Sequence, residues 1–114
     1  MNKAILTFLL LLSCFSCTES TSSQGVLSED QMVAILIDIQ LTEGKASTLP
    51  ITFDSSQVLY SLMEEEVFRK HGVSDSLFTK SMVYYLEDAG KMDQLYARVI
   101  DSLVVLENNS RTKE

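Results

Sequence analysis

Few side chains in this sequence are equipped for covalent chemistry. Two cysteines, Cys14 and Cys17, close an N-terminal apolar run, one histidine, His71, lies mid-chain, and 16 acids are spread along the remainder. A zinc site or a disulfide framework for a folded domain needs more thiols or imidazoles than these, and none follow Cys17 except His71. His71 directly precedes Gly72, the pattern of a helix end, where an imidazole is favoured by the helix dipole and can bond terminal carbonyls. That position suits a structural role better than the base of a Ser-His-Asp arrangement. Glu64-Glu65-Glu66 has the look of an acid or metal site, but four-residue spacing pairs Glu65 with Arg69 and Glu66 with Lys70, which describes a solvated helix face. Paired carboxylates for glycoside cleavage lack a tryptophan platform, and no glycine-rich phosphate loop is present. The expectation is a protein that is not an enzyme and needs no cofactor or metal.

Charge narrows the partners. The chain carries 9 bases against 16 acids, a net charge of −7, with the bases scattered singly. Nucleic acid is therefore not an expected ligand, because binding a polyanion requires clustered Lys and Arg. The same balance disfavours an anionic membrane surface.

The N-terminus has the form of an export signal: Lys3 gives a positive start, Ala4 to Leu12 is apolar apart from Thr7, and Ser13-Cys14 follows. The run is too short for a permanent span, which takes roughly 20 residues. Leu11-Leu12-Ser13-Cys14 resembles the bacterial lipobox, with an aliphatic residue three before the cysteine and a small residue just before it. The resemblance implies cleavage after Ser13 and acylation of Cys14 by chains such as palmitate. Several chains at about 0.8 kcal/mol per buried methylene hold a small domain in the leaflet. Cys17, preceded by Ser16 but with Cys14 at the aliphatic position, is the alternative modified residue. Thr18 to Gly25 contains no apolar side chain and reads as a tether that reaches at most roughly 28 Å. The expected organisation is a lipoprotein signal at 1–13, the lipidated cysteine and tether at 14–27, a helical domain at 28–108 and a polar tail at 109–114. Location in the bacterial cell envelope, anchored by lipid and facing the periplasm, follows from that organisation.

The elements that must position everything else read as helices. Ser28-Glu29-Asp30-Gln31 forms a capping box, and Met32, Leu36, Ile39 and Glu43 then share one face, flanked by Val33 and Ile35, up to a stop between Gly44 and Ser47. After Pro50, a second helix starting at Asp54 or Ser55 carries Leu59, Met63 and Val67 and stops at His71 with Gly72 as a left-handed cap. Ser74 opens a third with Leu77, Phe78, Met82, Tyr85 and Leu86, closed by Gly90. The fourth places Met92, Leu95, Tyr96, Val99, Leu103 and Leu106 on one stripe. No stretch alternates like a strand. The fold class is all-α, a small bundle of about four helices after a signal peptide and flexible tether.

Several polar residues border these stripes. Glu43 near the end of helix one, and Glu66 and Arg69 beside the stripe of helix two, are candidates for an interaction surface or an inter-helix ion pair, against a plain reading of solvated or snorkelled edges. Ser81, between Phe78 and Tyr85, marks close helix packing. Asp75-Ser76-Leu77 and Asp101-Ser102-Leu103 resemble the Bacteroidota O-glycosylation acceptor, which makes Ser76 and Ser102 candidate sites. Helix-start chemistry accounts for Asp75 equally well.

The stretch from Met32 to Glu43, then Phe68-Arg69-Lys70-His71-Gly72-Val73-Ser74, Phe78, Ser81, Tyr84-Tyr85, Leu95-Tyr96 and Val99 resemble domain-of-unknown-function family 4296, over roughly Leu27 to Leu106. The resemblance implies a small lipoprotein of Bacteroidota and no particular activity. Ser28 and Asp88-Ala89-Gly90 depart from the proline-containing turns common in that family. The expected function is a membrane-tethered, non-enzymatic interaction module with an envelope protein as partner. The alternative is a chaperone-like helical module, suggested by Lys70 to Ser74 and by methionines and tyrosines able to line a client groove.

Overall fold

A computed structural model of the chain describes Lys3 and residues 25–113. Four helices follow one another: α1 (Glu29–Ala46), α2 (Phe53–His71), α3 (Asp75–Leu86) and α4 (Ala89–Arg111). No strand forms among the described residues. The all-α bundle is as the hydrophobic periodicity requires.

Each helix starts where a short polar side chain satisfies amides that lack an intrahelical acceptor. Ser28 Oγ accepts from Gln31 N at 3.2 Å while Gln31 Oε1 accepts from Ser28 N at 3.0 Å, a complete capping box. Ser74 Oγ takes the Leu77 amide at 3.1 Å. The start of α2 differs from expectation: Thr52, not Asp54 or Ser55, is the cap, accepting from Ser55 N, so the helix begins at Phe53. Its end agrees, since Gly72 adopts φ 65°, and the Val73 amide returns to Phe68 O at 3.0 Å.

Gly90 does not close α3. Its φ is not positive, and α3 stops at Leu86 with Glu87 in an ordinary helical conformation. Asp88 then caps α4, its Oδ1 accepting from Gly90 N at 3.0 Å and Lys91 N at 3.2 Å, so Gly90 lies in the first turn of the next helix. A side-chain acceptor two residues ahead overrides the glycine stop signal.

α1 is central, packed on α2 along one side and on α4 along the other, and α3 packs on α4. Phe68 of α2 meets Phe78 of α3 with ring centroids 4.8 Å apart. The core unites Met32, Ile35, Leu36 and Ile39 with Val67, Phe68, Phe78, Tyr85, Leu95 and Val99. Each such aliphatic removed from water contributes about 1.5–3 kcal/mol. The stripe of α4 does not stay buried as expected: Tyr96 and Leu106 are exposed. The helix also runs on through Asn108 and Asn109 to Arg111, beyond the domain end expected at 108.

Val26 and Leu27, expected at the end of the tether, are buried. Ser81 and Tyr85 on α3 hold this entry strip. Ser81 Oγ accepts from Leu27 N at 2.8 Å and Tyr85 Oη donates to Leu27 O at 3.0 Å, so both backbone groups of one residue are satisfied from one helix face. Ser81 is fully buried and donates to Leu77 O at 2.7 Å.

Candidate functional site

The polar constellation that joins separate helices centres on Asp38. Asp38 lies on the flank of α1 that meets α2, and α2 runs antiparallel, which brings its last turn alongside. Asp38 Oδ2 accepts from Lys70 Nζ at 2.8 Å and meets His71 Nε2 at 2.7 Å. Lys70 above all, with His71 behind it, holds the Asp38 carboxyl below its ordinary value against the opposing effect of partial burial. The backbone supports the arrangement, since the Thr42 hydroxyl donates to Asp38 O at 2.6 Å. His71 thus bonds a carboxylate of another helix, not the terminal carbonyls of its own. A groove of ≈390 Å³ opens beside this clasp, lined by Leu41, Lys45, Leu62 and Glu66 among others.

Glu66 and Arg69 pair with each other, side by side on the exposed face of α2, through Arg69 Nε and one terminal guanidinium nitrogen. This is an ion pair within one helix, not between helices. It also replaces the expected Glu65–Arg69 and Glu66–Lys70 pairs, because Lys70 turns to Asp38. Glu43 is exposed, on a groove of ≈590 Å³ that it shares with Gln40, Gln57, Tyr60 and Glu64. Burial raises the Glu64 carboxyl, and the like charges of Asp75 and Glu43 raise it further. The two are neighbours across α1 and α2, which the run Glu64-Glu65-Glu66 did not suggest.

Ser76 is exposed, with Ser74 Oγ 3.2 Å from its own hydroxyl, whereas the half-buried Ser102 hydroxyl donates to Arg98 O at 2.8 Å. Cys14 and Cys17 lie outside the described residues, as do the signal and most of the tether. Among the described residues, no group of three or more His, Cys, Asp or Glu is placed to hold a metal ion, and no helix is long and apolar enough to cross a membrane.

A second inter-helix clamp, also absent from the sequence-based candidates, ties α4 to the start of α1. Arg98 donates to Glu29 Oε1 at 2.7 Å and to Asp30 Oδ1 at 2.6 Å. Both missed sites share one cause: each partner is ordinary at its own position, and only the register between helices pairs them. The single available signal was the offset of Asp38 and Arg98 to the edge of an apolar stripe.

Helix count, capped entries and cross-helix clasps define a small all-α bundle whose N-terminal entry is pinned into the core. The chain belongs to the family described as a domain of unknown function, DUF4296, whose model matches residues 24–109. No curated protein and no solved structure matches the chain.

Proposed function

We propose that the chain is a bacterial cell-envelope lipoprotein, anchored through Cys14 and facing the periplasm, whose helical domain is a non-enzymatic module for binding another envelope protein. The observation that carries the binding role is the amount of large apolar surface left in solvent. Leu41 and Leu62 are exposed on a groove between α1 and α2, and Val105 and Leu106 on another, where they meet half-buried Ile37 one turn before Leu41. Large apolar side chains left in solvent in this number mark association sites. The lipobox-like Leu11 to Cys14 and the lack of any apolar side chain from Thr18 to Gly25 support the tether, and the entry strip at Leu27 gives that tether a fixed point on the domain. Cys17 is the second candidate for the anchor. Membership of a Bacteroidota lineage is consistent with the family resemblance, and in that setting exposed Ser76 is the better glycan acceptor of the two Asp-Ser-Leu positions.

Most of the methionines that suggested a client groove have other employment. Met32 is in the core and Met82 and Met92 pack against it. Of these methionines Met63 alone lines a groove, between α1 and α2, so the chaperone reading has the smaller support.

Fractionation of cells making the wild type and Cys14→Ala, Cys17→Ala and double variants tests the reading. Cys14→Ala should leave the membrane fraction and lose its copurifying partner, with Cys17→Ala unaffected. Unchanged membrane association in the double variant would defeat the anchor, and an undiminished set of partners in the released protein would defeat the need for tethering.

A further inference from the structure

The bundle is covered at one end only. α2 is antiparallel to α1, because Lys70 and His71 reach Asp38 while Gln57 and Tyr60 share a groove with Glu43 and Ser47, and α4 is parallel to it, because Arg98 reaches Glu29 and Asp30 while Val105 and Leu106 share a groove with Ile37. The start of α2 and the end of α4 therefore lie at the same end, the one remote from Leu27. α3 has 12 residues against 19 in α2 and 23 in α4, and it packs at the other end, on Phe68 and on α4. Beyond α3 the inward-facing stripes continue without a neighbour.

The burial gradients follow from this. Phe53, Tyr60 and Val67 are spaced by seven and share one face of α2. Val67 is buried, Tyr60 half-buried and Phe53 75% exposed. On α4, Val99 is buried, Leu103 half-buried and Leu106 45% exposed. Two core stripes run out of the core toward the same end of the molecule.

The charged residues that line the groove at that opening have one sign. Glu43 and Glu64 line the ≈590 Å³ groove there with Gln40, Gln57 and Tyr60, and neither carboxylate has a hydrogen bond or ion pair among the described residues. Burial shifts the Glu64 carboxyl upward, and the like charges of Asp75 and then Glu43 add to it. The nearest bases on these two helices are engaged elsewhere or on the other flank: Arg69 with Glu66, Lys70 with Asp38, and Lys45 in the groove beside Asp38.

We propose that this open end receives one amphipathic helix of a partner protein, its apolar face on the exposed continuation of the α2 and α4 stripes and its flanking Lys or Arg residues on Glu43 and Glu64. The proposal deepens the interaction-module reading and rests on it. A helix there completes the position that α3 is too short to fill, by the groove-docking mode of amphipathic recognition. Basic flanks convert two unpaired carboxylates into charge-assisted contacts.

The test uses the full-length chain in detergent micelles and two synthetic helical peptides with the same leucine face, one flanked by lysines and one by glutamates. Fluorescence anisotropy should show the lysine peptide binding at least about tenfold tighter, with that preference falling to about twofold or less in Glu43→Gln/Glu64→Gln. Glu87→Gln/Asp93→Gln, at the opposite end, should leave the preference intact. Both pairs of side chains are exposed, so helical circular dichroism should be unchanged in every variant. Equal affinity for both peptides, no binding of the lysine peptide, or equal loss in the Glu87/Asp93 control would overturn the proposal. In cells, a photo-crosslinker at Gln57 should capture a Lys/Arg-flanked helical segment of another protein. Capture of a second copy of this chain or of lipid at Gln57 would overturn it. Capture of a protein only from Leu41, on the far side of α1, would overturn the groove and leave the interaction reading standing.

Discussion

Asp38 joins two helices through a single oxygen, and its effect on stability has a definite sign. Its folded-state carboxyl titrates below the ordinary value of 3.8, so its contribution is complete above that value and disappears as pH falls through the lower folded-state value. Asp38→Asn should cost about 1 kcal/mol near neutrality, a figure kept small because the Lys70 arm is largely in water. Urea midpoints of wild type and Asp38→Asn should differ at about pH 5 and converge in strong acid, and a gap that widens on acidification would refute the assignment. Ser81 and Tyr85 make a sharper case because their acceptor and donor are buried. Ser81→Ala strands the Leu27 amide and should cost about 1–3 kcal/mol, whereas Tyr85→Phe strands the carbonyl and should cost about 1 kcal/mol. Burial, with a smaller effect of Glu29, raises the Tyr85 phenol, which keeps it a donor over the working range. A double-mutant cycle read by denaturant unfolding should show coupling, since both side chains hold one residue. Packing at Ser81 was legible from its place between Phe78 and Tyr85. The bond to Leu27 was not, because Leu27 followed a polar tether and belonged to no periodic stripe.

At the scale of elements, local rules did most of the work and failed where two of them competed. The capping box at Ser28 and the left-handed stop at Gly72 are decided within a few residues, and both form. A Cβ at Gly72 would meet no atom within 4 Å, so Gly72→Ala should cost about 1 kcal/mol from backbone conformation alone. Gly72→Asn should cost less, since asparagine tolerates this region, and thermal melts of the two variants compare them directly. Equal costs would point to a steric cause that the open surroundings contradict. Gly90 shows the competing case: a glycine after an apolar run reads as a stop, but Asp88 captures the following amides and turns the position into a start. Lys70 shows another, choosing Asp38 across the interface over Glu66 along its own helix. Spacing alone ranks local pairs and knows nothing of a carboxylate on a neighbour.

Across the whole molecule, stability is concentrated at the end where Leu27, α3 and the start of α4 meet. Met32, Ile35, Leu95 and Val99 are fully buried there, and every residue from 104 to 113 is exposed. Removing 107–113 should therefore change unfolding free energy by no more than about 0.5 kcal/mol. Hydrogen exchange should protect the amides of Leu95 and Val99 most and those of 107–113 least, a contrast that partner binding at the open end would reduce. Arg98→Ala should loosen α4 from the start of α1 and should matter less as salt rises, because Asp30 is exposed and the Arg98 side chain is partly so.

The sequence by itself determined the number of helices, three of their four starting caps closely or within two residues, most of the core and the acidic balance. These depend on side-chain period and on backbone groups satisfied by near neighbours. Tertiary structure alone decided that Asp38 meets Lys70 and His71, that Arg98 meets Glu29 and Asp30, that Leu27 is held by Ser81 and Tyr85, and that Tyr96, Leu106 and Phe53 stay in solvent. The register of α2 and α4 against α1, and the shortness of α3, place those groups. A stripe of apolar residues states which face a helix would bury, and only the helices packed beside it determine how much of that face is covered.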